Sequence, residues 1–125
     1  MRNAISTKDA PQAIGPYSQG IRAGNMLFVS GQGHLDPETG ALVTGDVATE
    51  TRRVMDNVGA ILKAAGASFD HVVRTTVYLA DMADFAAMNA VYGEYFSAPA
   101  PARTTIQAAR LPRDMRVEID VIAVL

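Results

Sequence analysis

Apolar and polar positions alternate with different periods along the chain, and each change of period marks an element. Val117-Glu-Ile-Asp-Val-Ile-Ala-Val124 alternates every second residue, with Val117, Ile119, Val121 and Ala123 on one face and Glu118, Asp120, Ile122 and Val124 on the other. Two acids therefore stand among apolar residues. Upstream, Arg103, Thr105 and Gln107 share one face of another strand, and Thr104, Ile106 and Ala108 the other. Between Asp46 and Gly66 the period lengthens. Val47, Val54, Val58, Ile61, Leu62 and Ala65 recur at helical spacing behind an Asp46 N-cap, Gly66 closes the helix, and Glu50, Arg52, Arg53, Asp56 and Lys63 take the rest of the wheel. A second helix is predicted from Met82 to about Phe96, capped by Asp81. Its apolar stripe of Phe85, Met88, Tyr92 and Phe96 takes in Asn89.

The remaining strands are shorter. Arg2 to Lys8 reads as an edge strand, and Ala10 to Pro16 as an irregular loop that delivers Tyr17. Tyr17 to Ala23 and Met26 to Ser30 form a hairpin across Gly24-Asn25, and the second of these is apolar on both faces, as a covered central strand is. Residues 31 to 45 make a long turn-rich loop suited to rimming a site. Val72 to Leu79 is a strand rich in β-branched residues, with Val73, Thr75, Val77 and Leu79 on one side.

The order β, ββ, α, β, α, ββ predicts an α+β domain spanning 1–125. Right-handed crossovers put both helices on one face of a mixed sheet of about six strands. The other face, with Ile122, Val124 and one side of Met26 to Val29, is expected to carry Arg103 and Glu118 as well. Left bare, it would expose a large apolar patch, so oligomerisation with clefts between subunits is the expected cover.

Composition narrows the function. With 11 basic and 13 acidic residues the net charge is -2, and no basic run occurs, which argues against nucleic-acid and membrane-surface binding. The absence of cysteine excludes disulfides, thiolate nucleophiles and cysteine metal sites. No apolar leader or membrane-length apolar run is present, so a cytoplasmic location is expected.

Arg103 with Glu118 is the leading pair. A guanidinium fork suits a carboxylate ligand and a glutamate can hold a water or accept its proton, although spacing alone fits an idle surface ion pair equally well. Tyr17 reads as a pocket-edge phenol or as interface packing, and Ser30-Gly31 as an anion contact or as a plain strand end. Neither Ser18 nor Ser30 sits in a nucleophile elbow, and Gly31-Gln-Gly33 opens no helix. His34 and His71 read as isolated loop residues, and no metal site is expected.

Gly15-Pro-Tyr-Ser-Gln19, Phe28-Val-Ser-Gly-Gln32, Asp56-Asn-Val58, Asn89-Ala-Val-Tyr92, Pro101-Ala-Arg-Thr104, Arg110-Leu-Pro112 and Val117 to Ala123 together resemble the Rid, or YjgF-like, family in its RidA branch. The resemblance runs from about Ile5 to the C-terminus. It implies a chorismate-mutase-like (bacillus-type) fold and a homotrimer with three intersubunit clefts. The implied activity is that of a 2-iminobutanoate/2-iminopropanoate deaminase, hydrolysing 2-aminoacrylate-type enamines and 2-imino acids to 2-keto acids and ammonia without a cofactor. Pyridoxal-phosphate-dependent dehydratases would supply the substrate. Carried over by position, Arg103 grips the substrate carboxylate, Glu118 positions water, and Tyr17, Ser30, Gly31, Asn89 and Thr105 complete the pocket. Thr105 departs from the cysteine that many relatives carry. A small-carboxylate sensor remains the alternative, with an endoribonuclease or translation inhibitor behind it.

Overall fold

The computed structural model describes residues 1–125. Six strands, β1 (Arg2–Ile5), β2 (Gly20–Ala23), β3 (Met26–Gln32), β4 (Val72–Leu79), β5 (Ala102–Gln107) and β6 (Val117–Val124), form one sheet in the order β1-β2-β3-β6-β4-β5. All pairings are antiparallel except β4 with β5. Helix α1 (Val47–Ala64) links β3 to β4, and α2 (Phe85–Tyr92) links β4 to β5.

Helix α1 starts and stops as its sequence dictates. Asp46 Oδ1 accepts the Thr49 N–H at 2.8 Å. At the other end Gly66, at φ 77°, lets its own N–H reach Lys63 O at 3.0 Å and the Ala67 N–H reach Leu62 O at 2.8 Å, closing the helix with a paired C-cap. The predicted second helix is shorter than its pattern. Asp81 caps a 3₁₀ turn at Met82–Asp84, α2 covers only Phe85–Tyr92, and a further 3₁₀ turn spans Gly93–Tyr95.

Both helices cover one face of the sheet. Leu27 and Val29 of β3, Val77 and Leu79 of β4, and Val117, Ile119, Val121 and Ala123 of β6 pack there against Val54, Met55, Val58, Ile61 and Leu62 of α1 and Met88 and Tyr92 of α2. The opposite face is open, with Phe28 at 39% exposure and Ile106 at 44%.

Two strands carry bulges, where an extra residue inverts the alternation. In β4 the register with β6 shifts between Val72 and Arg74. Val72 is therefore buried and Val73 exposed, correcting the expectation that Val73 lies with Thr75, Val77 and Leu79. In β3 the register with β6 shifts between Val29 and Gln32, so Ser30 and Gly31 together face Asp120.

Topology also corrects the expected neighbourhood of Arg103 and Glu118. Strand β5 returns from α2 parallel to β4 and becomes the sheet edge, whereas β6 inserts between β3 and β4. Arg103 pairs with Thr75, whose side is the helix-covered one, while Glu118 pairs with Tyr78 on the open side. The two residues thus lie on opposite faces of the sheet with β4 between their strands.

Candidate active site

Glu118 lies in a cleft of about 580 Å³ whose wall includes Tyr17, Ser30, Gly31, Arg113 and Met115. The wall is held by bonds from distant parts of the chain. Gln19, buried at 5% exposure, accepts the Thr7 N–H at 2.7 Å and donates to the carbonyls of Thr7 at 3.0 Å, Ala10 at 3.2 Å and Pro11 at 2.8 Å. That staple folds the loop before β2 and sets Tyr17 at the cleft mouth, half exposed, its hydroxyl accepting the Ile14 N–H at 3.2 Å. Ser30 is tied to the same loop. Its N–H donates to Gln19 O at 2.9 Å and its hydroxyl to Ser18 O at 2.6 Å.

Gly31 has no side chain because Glu118 occupies that space. A Cβ built there would overlap Oε2 of Glu118 and sit 3.0 Å from its Cδ. The bulge and the glycine together bring the carboxylate over bare backbone. Burial, with the nearby charge of Asp120 second, pushes the Glu118 carboxyl above its ordinary range, which makes it a better proton acceptor at neutral pH. Asp120 is itself held by the Tyr78 hydroxyl, which donates to Oδ2 at 2.9 Å.

The second group forms between α2 and β5. The Arg103 guanidinium carbon lies 4.8 Å from the Tyr92 ring centre and 5.5 Å from that of Phe85, so two aromatic faces orient the fork. Tyr92 is fixed in turn by Thr75, their hydroxyls 2.7 Å apart, and burial raises its phenol pKa. Arg103 makes no ion pair. Asn89 shares the helix face of Phe85 and Tyr92, and Thr105 shares the strand face of Arg103. Asn89 Oδ1 and Thr105 Oγ1 are both buried without a hydrogen-bond partner. An orphaned buried polar atom costs about 1–3 kcal/mol, so their position beside an unpaired arginine points to a ligand.

The residues singled out from sequence therefore fall into two groups. Tyr17, Ser30, Gly31 and Glu118 come together at the cleft, and Arg103, Asn89 and Thr105 at the other position. One chain does not bring the two groups to each other.

Sequence reasoning passed over the polar core beneath the cleft. Glu50, placed on the solvent side of α1 by its wheel position, is 2% exposed and binds Arg116 through Nε at 2.7 Å and Nη2 at 2.9 Å. His34 is not isolated. It is buried, its Nε2 accepts the Arg116 N–H at 3.1 Å, and its Nδ1–H therefore donates to Val43 O at 2.8 Å. Fully buried Asn57 donates to Gly33 O at 3.1 Å and Leu35 O at 2.9 Å. These bonds hold both the long loop and the start of β6. No three His, Asp or Glu side chains converge as a metal site requires, and no helix is long and apolar enough to cross a membrane.

The family whose profile matches this chain is endoribonuclease L-PSP, over residues 7–125. Among curated proteins, the mouse 2-iminobutanoate/2-iminopropanoate deaminase is 52% identical over 124 residues, spanning 99% of this chain and 92% of that protein. Among solved structures, the Escherichia coli YjgF gene product superposes with a TM-score of 0.93 at 46% identity, covering 98% of each chain. Escherichia coli TdcF with bound serine superposes with a TM-score of 0.94 at 44% identity, again over 98% of each. With its two helices on one face of a six-stranded mixed sheet, the chain has the chorismate-mutase-like fold and belongs to the YjgF/Rid family, also described as endoribonuclease L-PSP.

Proposed function

We propose that this protein is an enamine and imine deaminase, converting 2-aminoacrylate-type enamines and 2-imino acids to 2-keto acids and ammonia in a site completed by a second copy of the chain. The observation that carries this reading is the division of the polar residues into two complementary halves on opposite faces of one sheet. One half has an unpaired guanidinium beside two orphaned polar atoms. The other has a glutamate with a raised pKa in an open cleft. A second copy seated on the open face would bury Phe28 and Ile106, and with its β5 edge against the cleft its Arg103 half would meet the Glu118 half; a closed homotrimer would do this three times. The deaminase name of the mouse relative and the serine held by TdcF support a small carboxylate ligand.

In this mechanism Arg103 binds the substrate carboxylate through two parallel N–H bonds. An enamine first gains a proton on its terminal carbon and becomes the iminium. Water adds to C2 as Glu118 takes one of its protons, giving a carbinolamine. Glu118 returns that proton to nitrogen, the C–N bond breaks, and the hydroxyl proton leaves as the carbonyl forms. Iminium plus water thus gives keto acid plus ammonium. Tyr17 and Ser30 border the path of the water, and Asn89 Oδ1, an acceptor, suits a substrate N–H. Because an iminium is already electrophilic, placing water beside an anchored substrate supplies most of the acceleration. A pyridoxal-phosphate-dependent serine or threonine dehydratase releases such substrates and is the enzyme class we place upstream.

The test is a coupled assay with such a dehydratase, following imine lifetime against concentration of this protein. A shortened lifetime that Arg103→Ala abolishes supports the reading. Saturable keto-acid binding with unchanged imine decay would instead make the protein a carboxylate sensor.

A further inference from the structure

The Glu118 cleft of the single chain measures about 580 Å³ before a second copy completes the site. Of the 14 residues lining it, only Glu118 and Arg113 carry formal charge.

Arg113 is held in place by an unusual turn. Its backbone lies at φ 57°, ψ 24°, and Asp114 follows at φ 56°; no other non-glycine residue in the chain has positive φ. L-residues keep that conformation only where the surroundings enforce it. Here Leu111 and Met115 are buried on either side, and Arg110 grips Asp114 through Nε–Oδ1 at 2.7 Å and Nη2–Oδ2 at 3.2 Å. Arg113 Nη1 donates to Gly40 O at 2.8 Å. This bond leaves most of the guanidinium donors free, and Arg113 makes no ion pair with any acid in the chain. The cleft thus presents a cation that forms no ion pair with its own carboxylate.

We infer that Arg113 selects the substrate side chain, so that the cleft favours 2-imino acids bearing a second carboxylate at the end of that chain. The inference rests on the deaminase reading above. With C2 beside Glu118 and the 2-carboxylate on Arg103, the side chain is the substituent left to run along the cleft. A planar guanidinium in its wall matches a terminal carboxylate in two bonds.

The experiment compares kcat/KM for 2-iminosuccinate and 2-iminoglutarate with that for 2-iminopropanoate. Each imine is generated in place by a flavin-dependent amino-acid oxidase and the remainder trapped with semicarbazide. Arg113→Ala should lower the ratio of dicarboxylic to monocarboxylic kcat/KM about five- to tenfold, as loss of a partly exposed charged bond does. Arg113→Gly, which accepts the same backbone conformation without strain, should give the same ratio and separates the side chain from the turn. Arg113→Glu should lower the ratio further. An unchanged ratio, whether all rates fall together or none falls, overturns the inference. A wild-type protein that shortens the lifetime of none of the three imines overturns the deaminase reading itself, and this inference with it.

Discussion

The two halves of the candidate site are built by opposite means. The Glu118 half lies where backbone regularity fails: a bulge at Ser30 and Gly31, a turn with Arg113 and Asp114 at positive φ, and loops tied down by Gln19, Asn57 and His34. The Arg103 half stands on a regular strand and a regular helix, and its irregularity is chemical, in the polar atoms of Asn89 and Thr105 that nothing in the chain satisfies. The contrast teaches what each task demands. In the proposed mechanism the base must meet one reacting atom, and the loops that wall its cleft are held by long-range pins. The proposed carboxylate grip can stay open until its ligand arrives.

The largest effects should come from removing each half's charged group. Glu118→Gln should lower kcat by about 10²–10⁴, the usual contribution of a general base. Arg103→Ala should act on kcat/KM by about 10²-fold or more through lost substrate binding, with Arg103→Lys between it and wild type, since a point charge cannot reproduce the fork. Steady-state kinetics on dehydratase-generated imine separates the two patterns. Equal losses in the same parameter would erase the distinction between the halves.

Gly31→Ala should follow, because the new Cβ collides with the Glu118 carboxylate. We expect about a tenfold or greater loss of kcat/KM and a stability cost of about 1–3 kcal/mol, the range for overpacking. The double variant Gly31→Ala, Glu118→Gln should be no less active than Glu118→Gln alone, since both act through one carboxylate. Additive losses would show that Gly31 does something else.

The two buried asparagines sharpen the comparison through stability. Asn57→Ala leaves the Gly33 and Leu35 carbonyls without their donor and should destabilise the fold by about 1–3 kcal/mol in denaturant unfolding. Asn89→Ala removes an orphaned acceptor and should leave stability unchanged or raised while lowering kcat/KM. The reverse order would make Asn89 a structural residue.

The smallest expected effects concern pH. Glu118 must be ionised to accept a proton, so kcat/KM should fall as pH drops through its raised pKa. Asp120→Asn removes the like charge and should move that acid limb to lower pH. The folded state holds the Glu118 proton more tightly than the unfolded chain. Stability therefore declines as pH rises from the unfolded value, about 4.3, through the folded one. Glu118→Gln should accordingly raise Tm at neutral pH, and the gain should vanish below pH ~4. An acid limb that Asp120→Asn leaves in place would remove Asp120 from the picture.

Much of the fold was legible in the sequence. Asp46, Gly66 and the apolar stripe between them defined α1, and the alternation from Val117 to Val124 separated a covered face from an open one. What alternation cannot do is relate the faces of strands that are not yet paired. Arg103 was expected beside Glu118 on the open face, but the parallel β4–β5 pairing turns it to the helix side, and β4 lies between its strand and that of Glu118. The bulges at Val73 and at Ser30 and Gly31 broke the alternation locally, with no sequence marker beyond the glycine. Glu50 and His34 looked like surface and loop residues because their partner, Arg116, is distant in sequence. The residues of the candidate site were legible from family resemblance; their division into two halves was not.

The most direct test of that division mixes two dead variants. Arg103→Ala and Glu118→Gln chains, each inactive alone, are co-refolded in equal amounts and assayed for imine hydrolysis. If every site takes Arg103 from one chain and Glu118 from its neighbour, random mixing in a closed ring restores about a quarter of wild-type activity. Activity no higher than that of either variant alone would contradict a site shared between chains.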